Sequence, residues 1–251
     1  YDSAGIAVGK DGMVDVRKRV GRIDNLEEML NQHLPQGTIG IGHTRWATHG
    51  QPSNENAHPH GDCSGDFVVV HNGIIENYAS LRDELKDRGH HFSSETDTEV
   101  IAHLIEELYD GDLVSTIRRV VSRLEGAYAL VVMSRHEPDK IVAVKQASPL
   151  IIGLGERENF LASDIPALLP YTSRVIPLDE EEMAVLTCDG VEVMTVDGIP
   201  VRREPMVVNW DPGQAERGGY EHFMLKEIHE QPKAVRDTLS SRISADGNSV
   251  V

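Results

Sequence analysis

The sequence predicts an α+β protein in which mainly antiparallel sheets lie between helical layers, and three observations carry that reading. Three amphipathic segments follow one another between residues 74 and 126. Strand-like runs then succeed each other from residue 127 to 196, with turn residues between them. Asp189-Gly190 and Asp197-Gly198 punctuate alternating apolar residues as hairpin turns do. Helices grouped together and strands paired in series exclude the strict alternation of a doubly wound parallel fold.

The elements follow in chain order. Tyr1-Asp2-Ser3-Ala4-Gly5-Ile6-Ala7-Val8 reads as the middle of a strand, because it enters apolar residues with no cap, turn or polar leader, so the start reads as cut. Residues 38–46 and 66–71 are short apolar runs that end in polar motifs, as core strands delivering loops do. Ile74, Tyr78, Leu81 and Leu85 recur at helical spacing, and Gly89 closes that helix. Thr96-Asp97-Thr98-Glu99 has the form of a capping box before a second helical face of Val100, Ile101, Leu104, Ile105 and Leu108. Leu113, Ile117, Val120, Val121 and Leu124 make a third face, ending at Gly126. Strands are predicted at 127–134, 140–145, 150–154, 159–162, 183–187 and 191–196. Trp210-Asp211-Pro212-Gly213 and Gly218-Gly219 read as an irregular connection, and helical spacing returns over 223–242 around Pro232.

The chain has 251 residues, enough to bury a core, and 41 acidic against 24 basic side chains give a formal charge of −17. That field repels phosphate backbones and anionic lipid surfaces, which argues against nucleic acid and membrane as partners. No apolar run reaches the roughly 18 residues of a spanning helix, and residues 1–10 lack the features of a secretion signal. A cytoplasmic protein is expected, and two distant cysteines, Cys63 and Cys188, suit a reducing compartment.

Polar residues concentrate at 43–50, 56–60, 71–73 and 95–99. Arg45 could grip a carboxylate as a bidentate fork while Asp97 receives an ammonium group, which together would fit a zwitterionic amino acid. On spacing alone the plainer reading is preferred: Arg45 pairs with any nearby acid and Asp97 caps its helix. Asn72-Gly73 after a buried strand could aim an amide side chain and a backbone N–H at one oxyanion, or could simply turn the chain, and the two readings stand level. His43, His49, His58, His60 and His71 invite a metal, yet their spacing matches no HExxH pair or zinc ribbon, so structural histidines and no metal are expected. Nothing in Gly61-Asp62-Cys63-Ser64-Gly65 lowers a thiol pKa, and Cys63 and Cys188 read as exposed turn residues.

Taken in order, residues 1–5, 43–50, 56–60, 71–77 and 94–100, followed by Phe223-Met224-Leu225-Lys226-Glu227-Ile228 and Glu230-Gln231-Pro232, closely resemble the glutaminase domains of the glutamine-fructose-6-phosphate aminotransferases. These are class II glutamine amidotransferases of the N-terminal-nucleophile superfamily. The resemblance implies an αββα sandwich of two mainly antiparallel sheets, here lacking its first strand and helix. Residues 1–208 would be the glutaminase domain and 209–251 a linker toward a sugar isomerase domain. L-glutamine would be the substrate and no cofactor is implied. Arg45 would bind the substrate carboxylate and Asp97 its ammonium group, with Trp46, Thr48, His49 and His58 shaping the pocket. Asn72 and Gly73 would form the oxyanion hole. Ammonia would convert fructose 6-phosphate to glucosamine 6-phosphate in the isomerase domain, and the full-length enzyme is expected to be a homodimer.

In that family the nucleophile is a cysteine at the first position, whereas this sequence opens with Tyr1. Losing one oxyanion donor costs ~3 kcal/mol, but losing a nucleophile costs about a millionfold in rate. These residues are therefore expected to release no ammonia from glutamine until a cysteine-led segment is restored, an outcome that an ammonia assay of both chains reads directly. A non-catalytic amino-acid-binding module and a metal-dependent hydrolase using the histidines are the alternatives.

Overall fold

The computed structural model describes residues 1–209 and 219–240. It divides into two units, Tyr1–Val207 and Val208–Val251. In the first, β1 (Ser3–Lys10) turns through Asp11 and Gly12, both left-handed with φ of 51° and 74°, into β2 (Met13–Val20). Such two-residue turns match the right-handed twist of the strands they join. After α1 (Ile23–Gln32), β3 (Ile39–Arg45) pairs with the other edge of β1, setting Ser3 opposite Arg45.

There follow β4 (His60–Gly61), β5 (Phe67–Ile75), α2 (Tyr78–Asp87), α3 (Glu99–Leu108), α4 (Leu113–Val121) and β6 (Gly126–Ser134). The chain continues through β7 (Ile141–Gln146), β8 (Ile151–Leu154), β9 (Asn159–Ala162), β10 (Arg174–Pro177), β11 (Glu182–Leu186), β12 (Val191–Thr195) and β13 (Met206–Val207). Three antiparallel sheets result, in the orders β2-β1-β3, β13-β10-β8-β9 and β12-β11-β7-β6-β5-β4. The second unit contains α5 (Phe223–Ser240), which carries Pro232 within it.

The six-stranded sheet is buried on both faces, and the period of two along β6 sorts its side chains. Leu130 and Val132 pack with Leu85, Ile101, Leu104, Leu113 and Ile117 of the helices. Ala129, Val131 and Met133 pack with Ala7 and Ile41 of the three-stranded sheet and with Ile152 and Ile176 of the four-stranded one. The layers are thus helices, the large sheet, and a second β layer made of two smaller sheets, with α1 lying against β1 and β2. This is the α+β sandwich that the sequence predicts. No helix among the described residues is long and apolar enough to cross a membrane.

Several local expectations fail for identifiable reasons. Ile74 belongs to β5 and not to a helix, because pairing with β6 continues to Ile75 opposite Gly126, and α2 begins only at Tyr78. The capping box does not form. Thr98 precedes α3 without a side-chain cap, Thr96 shares its hydroxyl with Ser94 and His60, and Asp97 accepts the Ile75 N–H at 2.8 Å. Glu99 instead accepts the N–H groups of Ser93 and Ser94, each at 2.7 Å. Buried polar atoms here find tertiary partners, which override the local capping pattern. Asp189-Gly190 does join β11 to β12, but beyond Asp197-Gly198 only an isolated bridge, Met194 to Pro200, forms. The sequence reading missed β2, β4, α1, β10 and β13. The motif at residues 210–213 and the end of the predicted last helix, residues 241–242, lie outside the described residues.

Candidate functional site

Pairing in the two smaller sheets leaves the β3 side of one and the β9 side of the other facing a cavity of about 650 Å³, floored by β5 and β6 of the large sheet. β3 delivers His43, Thr44 and Arg45 to it, and Trp46 and Thr48 follow on the loop. β5 contributes His71, Asn72 and Gly73, the residues before α3 contribute Asp97 and Thr98, and β9 closes the far side with Leu161 and Ala162. The runs read as core strands ending in polar motifs therefore converge because neighbouring strands of two layers end at one place.

Arg45 is 4% exposed, and its Nη2 donates to the carbonyls of His49 and Gly50, while Nη1 is buried with no hydrogen-bond partner. Burial presses its pKa down, and Asp2 and Asp97 oppose that. Asp97, also 4% exposed, spends Oδ2 on the Ile75 N–H. A guanidinium with an unused donor and a carboxylate thus line one cavity, a pair of opposite charges suited to a zwitterion.

Asn72 Oδ1 lies 2.7 Å from His43 Nε2. Burial holds the His43 pKa down, so the neutral ring donates from Nε2 and fixes the Asn72 amide with its oxygen toward His43. That orientation leaves the Asn72 nitrogen free to donate elsewhere. Gly73 sits at φ 127°, where a Cβ would stand 1.9 Å from the Ala127 carbonyl oxygen. Only glycine permits β5 to pass β6 this closely at the cavity wall.

Behind this wall lies a set of imidazoles. His43 stacks on His58 at 4.1 Å between centroids, and His58 meets His60 edge-on at 4.8 Å. Burial pushes His71 down to about 4 and His60 to about 3, and holds His58 well below its ordinary value, neighbouring histidines adding to the effect. These rings are neutral at neutral pH. His71 shares a 3.0 Å hydrogen bond with Thr98, which anchors β5 to the start of α3. Among the described residues these histidines do not gather three ligand atoms within reach of one ion.

Of the residues singled out in the sequence, Arg45, Trp46, Thr48, His58, Asn72, Gly73 and Asp97 line the cavity, with Trp46 at the rim and 76% exposed. His49 does not. Its ring stands edge-on to Tyr78, and only its carbonyl reaches Arg45. Neither Cys63 nor Cys188 lines the cavity. The β9 wall was missed, since Leu161 and Ala162 are unremarkable strand residues that gain a role only through topology.

A family model for the glutamine amidotransferase domain matches residues 43–170, just over half of the chain and the stretch that builds most of this wall. The chain belongs to the glutamine amidotransferase family. It is 63% identical over 246 residues to a glutamine–fructose-6-phosphate aminotransferase (isomerizing) of Symbiobacterium thermophilum, covering 98% of this chain and 40% of that protein. The likeness to the same enzyme of Aquifex aeolicus is 56% over 246 residues, covering 98% and 42%. The chain thus spans about two fifths of the length of these relatives. Among solved structures it is similar to the glutamine phosphoribosylpyrophosphate amidotransferase from B. subtilis, with a TM-score of 0.67, 26% identity, and coverage of 78% of this chain and 43% of that one. An amidotransferase sandwich of the N-terminal-nucleophile type accounts for the layers described above.

Proposed function

We propose that residues 1–208 bind L-glutamine and stabilise the transition state for cleavage of its side-chain amide. In the longer protein, with 209–251 leading to an isomerase domain, the ammonia would convert fructose 6-phosphate to glucosamine 6-phosphate. A cytoplasmic homodimer is the setting this reading implies. It is carried by one observation: the unused Arg45 Nη1 and the Asp97 carboxylate share a cavity with Asn72 and Gly73. Arg45 takes the α-carboxylate through its unused Nη1, and Asp97 takes the α-ammonium with its remaining oxygen. The side-chain amide then points along β5, where the Asn72 nitrogen and the Gly73 N–H receive the charge that builds on its oxygen. In the longer protein a cysteine thiol would attack the carbonyl carbon, its proton passing to the amide nitrogen so that ammonia leaves, and water would then hydrolyse the thioester to glutamate and restore the thiol. Cys63 and Cys188 lie outside the cavity, so neither is given that step. The same observation supports binding without cleavage as the role of residues 1–251 alone.

Calorimetric titration with L-glutamine tests the assignment. Arg45→Lys keeps the charge but loses Nη1 as a donor while Nη2 holds the His49 and Gly50 carbonyls, and Asp97→Asn keeps an acceptor for the Ile75 N–H but loses the charge. Truncating one member of a desolvated charge pair costs about 2–5 kcal/mol, so affinity should fall by about thirtyfold or more in each. N-acetylglutamine, which has no ammonium group, should bind parent and Asp97→Asn equally. Unchanged glutamine affinity in both variants would show that glutamine does not bind in this cavity.

A further inference from the structure

Outside the cavity lining, four ligand-type side chains from three segments converge. Cys63 stands on the turn between β4 and β5, His90 follows the end of α2, and His103 and Glu106 lie three residues apart on α3. Cys63 Sγ is 3.6 Å from His103 Nδ1 and 3.8 Å from His90 Nδ1. Glu106 Oε2 is 3.0 Å from His90 Nδ1 and 3.5 Å from His103 Nδ1. All four ligand atoms lie within 4.8 Å of one another. A tetrahedral zinc ion, with bonds of about 2.3 Å to sulfur and about 2.0–2.1 Å to nitrogen and oxygen, sets its ligand atoms about 3.3–3.6 Å apart. Four of the six separations, at 3.0–3.8 Å, bracket that spacing.

Hydrogen bonding accounts for part of the arrangement, since the Cys63 N–H donates to Glu106 Oε2 at 3.2 Å, but it leaves the imidazoles in conflict. Each histidine lies between two carboxylates. Beyond Glu106 on the Nδ1 side, Glu107 Oε2 is 3.2 Å from His90 Nε2, and Glu99 Oε1 is 3.7 Å from His103 Nε2. A neutral ring carries one N–H, so it would turn a lone pair toward one of its two carboxylates. Two fully protonated rings would satisfy the acceptors, but they would stand 5.3 Å apart, and the His103 side chain is only 1% exposed. One divalent cation removes the conflict. Both Nδ1 lone pairs then face the metal, His90 Nε2–H donates to Glu107, His103 Nε2–H faces Glu99 at 3.7 Å, and the Cys63 thiolate receives the His91 N–H, found 3.4 Å from Sγ. Histidine ligands held by carboxylates in this way are the usual outer support of a zinc site.

We infer that Cys63, His90, His103 and Glu106 bind a zinc ion with four protein ligands. One thiolate and one carboxylate neutralise its charge, and the donor set of sulfur, two imidazoles and one carboxylate suits zinc over magnesium or calcium. With all four positions filled by protein, the ion is structural. It ties the turn of the β4–β5 hairpin and the segment after α2 to α3, whose first turn adjoins Asp97.

The full chain, stripped with a chelator and dialysed, should bind one Zn²⁺ in competition with a chromophoric chelator, and its melting temperature should rise on addition. Co²⁺ should give the intense ligand-field bands of four-coordination together with thiolate-to-metal charge transfer. Cys63→Ser should abolish the charge-transfer band while Cys188→Ser keeps it. His90→Ala, near the surface, should weaken binding by more than about a hundredfold, and Glu107→Gln, which touches no metal, by about 10–100-fold. If one ligand variant fails to fold, the others and the cobalt spectrum still decide. Failure to bind one equivalent, a six-coordinate cobalt spectrum, or zinc affinity unchanged from the parent in both Cys63→Ser and His90→Ala would overturn the assignment. The readout is independent of glutamine.

Discussion

Gly73→Ala is expected to lower the melting temperature by about 10 °C or more, a loss of at least about 4 kcal/mol. The added methyl meets two obstacles at once. The backbone there has φ of 127°, which L side chains rarely adopt, and the new Cβ would lie 1.9 Å from the Ala127 oxygen and 2.8 Å from its carbon. Both atoms are backbone, so no flexible side chain can yield. β5 and β6 would have to separate at the centre of the sheet that serves both cores. Gly65→Ala is the control, since Gly65 has φ of 72° in a turn with nothing within 4 Å of the added carbon. It should cost only about 1–2 kcal/mol of backbone strain. Thermal or urea melts of the two variants check the contrast, and equal melting would show that contact with β6 is not what fixes glycine at residue 73.

Acid should unfold the protein in a window set by its buried imidazoles. His60 and His71, 1% and 4% exposed, titrate in the folded chain at about 3 and about 4, against 6.5 for a free imidazole. The unfolded chain therefore binds more protons between those values, and stability rises with pH there. Their contribution is complete above about pH 7 and is withdrawn as pH falls from about 6.5 toward 4. At pH 5 each has given up about 2 kcal/mol, at about 1.36 kcal/mol per unit. His58, also buried and pushed down, acts in the same direction. Melting temperatures measured from pH 8 to pH 5, above the ordinary carboxylate range, should hold level to about pH 7 and then fall, and His60→Gln should flatten the slope. A flat profile in the parent chain would contradict the neutral histidine set.

How far the sequence discloses this protein varies by element. Helices α3 and α4 were legible because their apolar residues recur at helical spacing, although α3 proves to be buried on every side from Glu99 to Ile105. β6 was legible as a strand, but not as one buried on both faces, until the second β layer was seen. β2 escaped notice although Val14 and Val16 alternate with Asp15 and Arg17, because the mixed charges resemble a solvated loop. Arg45 and Asp97 could be paired only by likeness to a family, since 52 positions separate them and spacing alone cannot bring them together. On spacing alone a capping role was the preferred reading of Asp97, and the tertiary bond to Ile75 overturns it. His90 and His103 lay in no motif, and their partnership with Cys63 depends on how α2, α3 and the β4–β5 turn pack.

The second β layer is split between two sheets, and the cavity occupies the division. Among the described residues, β3 and β9 share no backbone hydrogen bonds, so the width of the opening is set by how each sheet rests on the six-stranded one beneath it. Such apolar contact is non-directional, and a slide of a fraction of an ångström changes buried area little, whereas the same displacement between paired strands would stretch every bond in a ladder. The pocket can thus adjust its breadth to an occupant while the register that holds Arg45 opposite Ser3, and Gly73 opposite Tyr128, stays as it is.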